Sequence, residues 1–164
     1  MGDAVIPHRL VLTPSVVALL EPLGVPYSWG AGALRDGLAG WPAGVPGVGG
    51  GVGYDCSGYA QLALLRLGIV RPDAWEDLRA VDLANASNPL AAELAEPGDL
   101  VFYASPLNHV MVALGCGMVV GAAGGGSHTN ADSASACVQV RPLHYRADLV
   151  TVGRLKAQYR RADA

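Results

Sequence analysis

A cysteine at the junction between a glycine-rich run and a helix-forming segment is the first feature here that could do chemistry. Cys56 lies in Gly53-Tyr54-Asp55-Cys56-Ser57-Gly58-Tyr59. The residues before it are too rich in glycine for regular structure, and those after it read as a helix. Backbone N–H groups and the positive end of the helix dipole converge at such a junction and favour a thiolate. A nucleophilic thiol also needs a base. Of the four histidines, His109 opens the apolar run His109-Val110-Met111-Val112 directly after a loop, so a rigid strand would fix its ring. His8 lies in the N-terminal arm, His128 in a glycine-rich loop, and His144 follows Pro142 in a turn. Cys56 and His109, in this order, make a candidate nucleophile and base pair.

Those two residues need a scaffold, and the composition supports one. The chain has 164 residues, 51% of them hydrophobic and 15% charged, which suits a globular protein with a real core. It is expected to form one domain over residues 1–164, with a core over about 13–155. A net charge of −3 offers no electrostatic footprint for nucleic acid. No segment approaches the ~20 uncharged apolar residues of a spanning helix, so no membrane insertion is expected. The first residues lack a basic region followed by an apolar run and do not read as a secretory signal. Cys56, Cys116 and Cys137 show neither a CxxC pair nor zinc spacing, their odd number argues against a full disulfide framework, and no zinc-type His/Asp ligand set is found; no metal and no other cofactor is expected. Cys116 and Cys137 sit among small and apolar residues and are expected to be plain buried thiols.

The elements follow from local signals. Thr13-Pro14 predicts a helix start, with Glu21-Pro22-Leu23-Gly24 as its stop. Residues 25–30 read as short and extended, and 30–53 as a long loop anchored by Trp41. That loop lacks the GK[ST] ending of a phosphate-binding loop. Residues 57–67 predict a helix closed by Gly68, and 73–79 a second helical piece. Residues 81–94 read as irregular or weakly helical, interrupted by Asn88-Pro89. After the turn Glu96-Pro97-Gly98-Asp99, where Asp99 is expected to order the turn, strands are predicted at 100–103, 109–114, 118–122, 138–141 and 149–155. The tail from Lys156 is expected to fray. Helices first and an antiparallel meander after them make an α+β fold, with N-terminal helices packed on a central sheet of about five strands.

Five motifs in order now carry a resemblance: Val25-Pro26-Tyr27-Ser28-Trp29-Gly30, Tyr54-Asp55-Cys56-Ser57-Gly58, Leu67-Gly68-Ile69, Glu96-Pro97-Gly98-Asp99-Leu100-Val101-Phe102, and His109-Val110 through Leu114-Gly115. Over roughly 25–122 the chain resembles the NlpC-type cell-wall cysteine peptidases, a compact papain-like group. The resemblance implies Cys56 as nucleophile and His109 as general base. It implies Tyr27, near the nucleophile, as a helper in binding substrate or the oxyanion, with Asp55 and Ser57 flanking the site. Asp55 has a second reading as a loop or helix cap. Trp29 is expected to pack near the cleft. The backbone N–H of Cys56 is an expected oxyanion donor. The chain departs from the family pattern at one point. A third polar residue is expected about a dozen positions after the base, to orient the imidazole, and Gly121 stands there. His128 is the first candidate to fold back into that role, followed by Asn130, a backbone carbonyl or water.

The function implied is cleavage of amide bonds in peptidoglycan stem peptides, through a thioester and without a metal, at the bond between D-glutamate and the diamino acid. The setting expected from the sequence is a phage tail-associated lysin or endolysin, in the virion or in host cytoplasm before release, acting on the bacterial wall. Tail hub or baseplate proteins are expected partners. Competing readings are a catalytically weak structural domain of a tail tip, a secreted antibacterial amidase toxin, and an acyltransferase or amidase acting on lipid-like amides.

Overall fold

Helix α2 (Cys56–Arg66) runs across one face of a six-stranded antiparallel sheet and carries the cysteine at its first position. The computed structural model describes residues 9–32, 38–71, 77–124 and 135–163. Before α2 come α1 (Pro14–Leu20) and a two-stranded ribbon of β1 (Val45–Pro46) and β2 (Val52–Gly53). After it come α3 (Ala80–Asn85), β3 (Ser87–Leu90), β4 (Leu100–Tyr103), β5 (His109–Gly115), β6 (Met118–Ala123), β7 (Cys137–Pro142) and β8 (Leu149–Leu155). The sheet order is β3-β8-β4-β5-β6-β7. This is the expected α+β architecture, with one strand more than the five predicted.

Alternation along the strands builds two cores. Leu100, Phe102, Val110, Val112, Leu114, Val120, Ala122 and Val138 face α2. Val101, Tyr103, Met111, Ala113, Val119, Ala123 and Val152 fill the opposite face. A helix that must be buried on several sides is apolar nearly all round, and α2 buries every residue from Gly58 to Leu65. Each of its buried leucines contributes roughly 1.5–3 kcal/mol. Trp41, Tyr54 and Tyr59 pack against one another in tilted and edge-on contacts at centroid distances of 5.9–6.3 Å. The Tyr59 hydroxyl donates to the Leu19 carbonyl at 2.7 Å and ties α2 to α1.

Several expectations are corrected. The missed strand is β3, which contains Pro89. A proline has no N–H for the ladder, and β3 sits at the sheet edge, where none is required on its outer side. Residues 80–85 are a regular helix. The tail is pinned rather than frayed: the Arg161 N–H donates to the Ile69 carbonyl at 2.9 Å, and Val70 bridges Arg160. Cys116 is exposed, at the tip of the β5–β6 hairpin, and Cys137 is half-buried. The helix expected at 73–79 falls mostly outside the described residues, and its last three residues are irregular. Asp99 orders its turn as expected. Its carboxylate accepts the Glu96 N–H at 2.8 Å and both Nε and Nη2 of Arg154 at 2.8 Å.

Candidate active site

Asp55 is the N-cap of α2. Its Oδ1 accepts the Gly58 N–H at 2.7 Å and the Ser57 hydroxyl at 3.1 Å, satisfying a first-turn donor that the helix cannot. Of its two expected roles the cap is the one the geometry displays. Gly58 permits the arrangement, since a Cβ there would lie 2.1 Å from the Ala31 carbonyl oxygen. The loop before Cys56 can therefore lie flat on the first turn of α2.

Cys56 is 8% exposed. Its Sγ lies 3.8 Å from the carbonyl oxygen of Asn108, the residue immediately before His109. Helix and strand thus bring the Cys56 sulfur against the backbone that leads into His109. No hydrogen bond joins Sγ to the imidazole; the ring instead places Nε2 2.9 Å from the Tyr145 hydroxyl. Tyr27 is buried beside the thiol. Its hydroxyl is pushed up first by burial and then by the charges of Cys56 and Asp55.

The electrostatics differ from the thiolate expected at a helix start. Burial, with the Asp55 carboxylate adding to it, pushes the Cys56 thiol up to about 11. The N–H groups of Val110, Ser57 and Cys56 pull the other way without overcoming this. The helix-end effect is worth about 1 kcal/mol or less at an ordinary terminus, and desolvating a thiolate outweighs it. Burial, helped by the Arg146 guanidinium and opposed by Asp148, lowers His109 to about 4. At neutral pH the pair is a neutral thiol and a neutral imidazole. That imidazole is the form that can accept a proton.

Beside the thiol opens a cleft of about 410 Å³, lined by Trp29, Asp55, Cys56, Asp77, Arg79 and Asn108 among others. Trp29 is 46% exposed and stands at this cleft as expected. Its far wall is held by a residue the sequence did not flag. Gln61, fully buried on α2, donates to the Leu78 carbonyl at 2.9 Å and accepts the Leu78 N–H at 3.0 Å. A larger recess of about 700 Å³ at the β3 edge, near Leu94 and Arg160, contains no nucleophile. Among the described residues no group of three or more His, Cys, Asp or Glu side chains is placed to hold a metal ion.

Gly121, where an orienting residue was expected, is closed off. A Cβ there would lie 2.7 Å from the Met111 sulfur. His128 and Asn130 lie outside the described residues. The residues that do surround His109 were missed from sequence: Tyr103 with its ring centroid 5.7 Å away, Tyr145, and Arg146. The only linear signal was the polar and aromatic turn His144-Tyr145-Arg146-Ala147-Asp148, and no spacing rule connects it to a strand 36 residues earlier.

A cysteine at a helix start beside a strand-borne histidine, on an antiparallel sheet, is the arrangement of papain-like cysteine hydrolases. Residues 24–146 match the NlpC/P60 family, and the chain belongs to it. The peptidoglycan endopeptidase RipB of Mycobacterium tuberculosis is 36% identical over 103 residues, covering 62% of this chain and 39% of that protein. This chain thus spans about two fifths of RipB's length. The solved structure of RipB superimposes with a TM-score of 0.59 at 26% identity, over 95% of this chain and 74% of that one. RipD of the same organism, described as a non-catalytic NlpC/p60 domain protein adapted to peptidoglycan binding, shares the fold at a TM-score of 0.61, 23% identity, and coverage of 87% and 95%.

Proposed function

We propose that this chain is a cysteine endopeptidase that cleaves amide bonds in peptidoglycan stem peptides, with Cys56 as nucleophile and His109 as base. The observation that carries the reading is the position of Cys56. It is the first residue of a capped helix, it lines a cleft, and its sulfur lies against the backbone that leads into His109. RipB, named a peptidoglycan endopeptidase, supports the substrate class. His109 takes the Cys56 proton as sulfur attacks the amide carbon. The N–H groups of Cys56 and Ser57, which already face the sulfur, hold the oxyanion, with the Tyr27 hydroxyl beside them. The imidazolium gives its proton to the leaving amine as the C–N bond breaks, leaving a thioester. Water then attacks, His109 takes its proton and returns it to sulfur, and the acid departs. The bond between D-glutamate and the diamino acid is the one we propose is cut. The setting we propose is a phage tail-associated lysin or endolysin.

A second reading, a wall-binding domain with little turnover, is favoured by one observation: Gly121 offers no side chain to His109. One experiment separates the two. Purified protein and Cys56→Ala are each incubated with peptidoglycan fragments, and the products are weighed by mass spectrometry. The wild type is expected to release stem-peptide pieces whose masses name the bond, and the variant none. Intact fragments in both, with binding retained, would favour the second reading. An antibody against the chain, tried on purified virions, tests the setting.

A further inference from the structure

We infer that Tyr145 is the positioning residue of His109, in the place that Gly121 leaves without a side chain. The inference rests on the reading of His109 as the base. Of the two ring nitrogens, Nε2 lies 2.9 Å from the Tyr145 hydroxyl, and among the described residues Nδ1 makes no hydrogen bond. A neutral imidazole accepts a proton only at its bare nitrogen. If Nδ1 is to take the proton of Cys56, Nε2 must carry the hydrogen, and Tyr145 Oη is the acceptor that holds it there. The phenol stays protonated, because burial pushes it above its ordinary value. Being half-buried, it can turn its own hydrogen to water.

The loop bearing Tyr145 is built to hold this position. Its start is tied by the Leu143 N–H to the Gly117 carbonyl at 2.7 Å, and by the Tyr103 hydroxyl to the Leu143 carbonyl at 2.8 Å. Its end is tied by the Ala104 N–H to the Asp148 carbonyl at 3.0 Å. Within it, Arg146 forks onto Asp148 at 2.8 and 2.6 Å and lies 5.7 Å above the Tyr103 ring. Tyr103, opposite His109 in the β4–β5 register, packs edge-on against Tyr145 at 5.2 Å. The imidazole is thus walled by Tyr103 and capped by Tyr145.

The tautomer decides the matter without any substrate. Nitrogen-15 NMR of the histidine rings at pH 7.5 should show wild-type His109 neutral, with its proton on Nε2. The charged and titratable groups facing it are Arg146, Asp148, Tyr103 and Tyr145, and Arg146 also hydrogen-bonds the Tyr145 side chain. In Tyr145→Phe, which keeps the ring and its packing, the single tautomer should give way to a mixture. Hydrolysis of peptidoglycan fragments should then fall about tenfold or more in kcat with KM within about twofold, since the loss is one of orientation. A wild-type proton on Nδ1, or an unchanged Nε2 tautomer in Tyr145→Phe, would overturn the inference. The wild-type spectrum answers even if the variant fails to fold. Absence of hydrolysis in the wild type, with the tautomer as described, would instead count against the peptidase reading and leave the positioning role standing.

Discussion

Replacing His109 with glutamine should remove a large part of the protein's sensitivity to acid. The ring is 9% exposed, and burial draws its pKa from an ordinary 6.5 to about 4. A histidine with a depressed pKa binds its proton less tightly when folded than when unfolded. Its contribution to stability is therefore fully present above pH 6.5 and drains away as pH falls through 4. A drop of roughly 2.5 in pKa corresponds to about 3 kcal/mol in the acid limit. Between pH 7 and pH 4.5, where the unfolded ring is charged and the folded ring still mostly neutral, about 2 kcal/mol of this is lost. Glutamine is a fitting replacement, because its amide can still meet the Tyr145 hydroxyl and leaves no orphaned partner. Urea unfolding of both proteins at pH 7, 5.5 and 4.5 measures the difference. Carboxylates elsewhere act alike in the two proteins and cancel. The wild type should lose about 2 kcal/mol more than the variant over that interval. Equal losses would refute the reasoning, as would an NMR titration of His109 centred near its ordinary value. The same depression keeps the imidazole in its proton-accepting form throughout the neutral range, so no loss of base function is expected until well below pH 5.

Two further substitutions test the scaffold around the site. Gly58→Ala drives a Cβ to within 2.1 Å of the Ala31 carbonyl oxygen and 3.1 Å of Asp55 Oδ1. It should cost about 1–3 kcal/mol and disturb the first turn of α2, seen as a lower Tm and an altered rate of Cys56 alkylation; wild-type values for both would show that the close approach is not constraining. Arg154→Ala strips the forked partner from Asp99, which is 5% exposed. A cost of about 2–3 kcal/mol in urea unfolding is expected, below the full value for a buried pair because Arg154 is itself partly solvated. A negligible change would mean that the Glu96 N–H alone satisfies the carboxylate.

The parts of this protein that were legible in sequence are those set by neighbours along the chain. Thr13 caps α1 and Asp55 caps α2, because a side-chain oxygen two or three residues ahead of an unpaired N–H needs no tertiary help. The strands of the main sheet read correctly wherever alternation was uninterrupted. β3 was missed because Pro89 is unfavourable in a strand interior, and only the sheet's completed order reveals that it lies at an edge. The C-terminal tail looked polar and loose, yet its backbone is claimed by residues Ile69 and Val70, some ninety positions earlier. Cys116 looked like a core thiol by composition, and hairpin closure turned it outward.

The site divides along the same line. The sequence by itself determined the identity of the candidate nucleophile at a loop-to-helix junction, the strand-borne histidine, the cap that holds the helix start, and the family to which the pattern belongs. Tertiary structure alone decided the state and support of that pair. Burial overcame the helix dipole at Cys56, because desolvation depends on everything packed around a group and the dipole only on its own helix. The missing third residue likewise had no local answer. Met111 fills the space over Gly121, and the hydroxyl that meets His109 arrives from a turn 36 residues away. Cys56 thus stands at the helix start where the sequence placed it, while the hydroxyl that meets His109 is supplied by a contact that no linear spacing encodes.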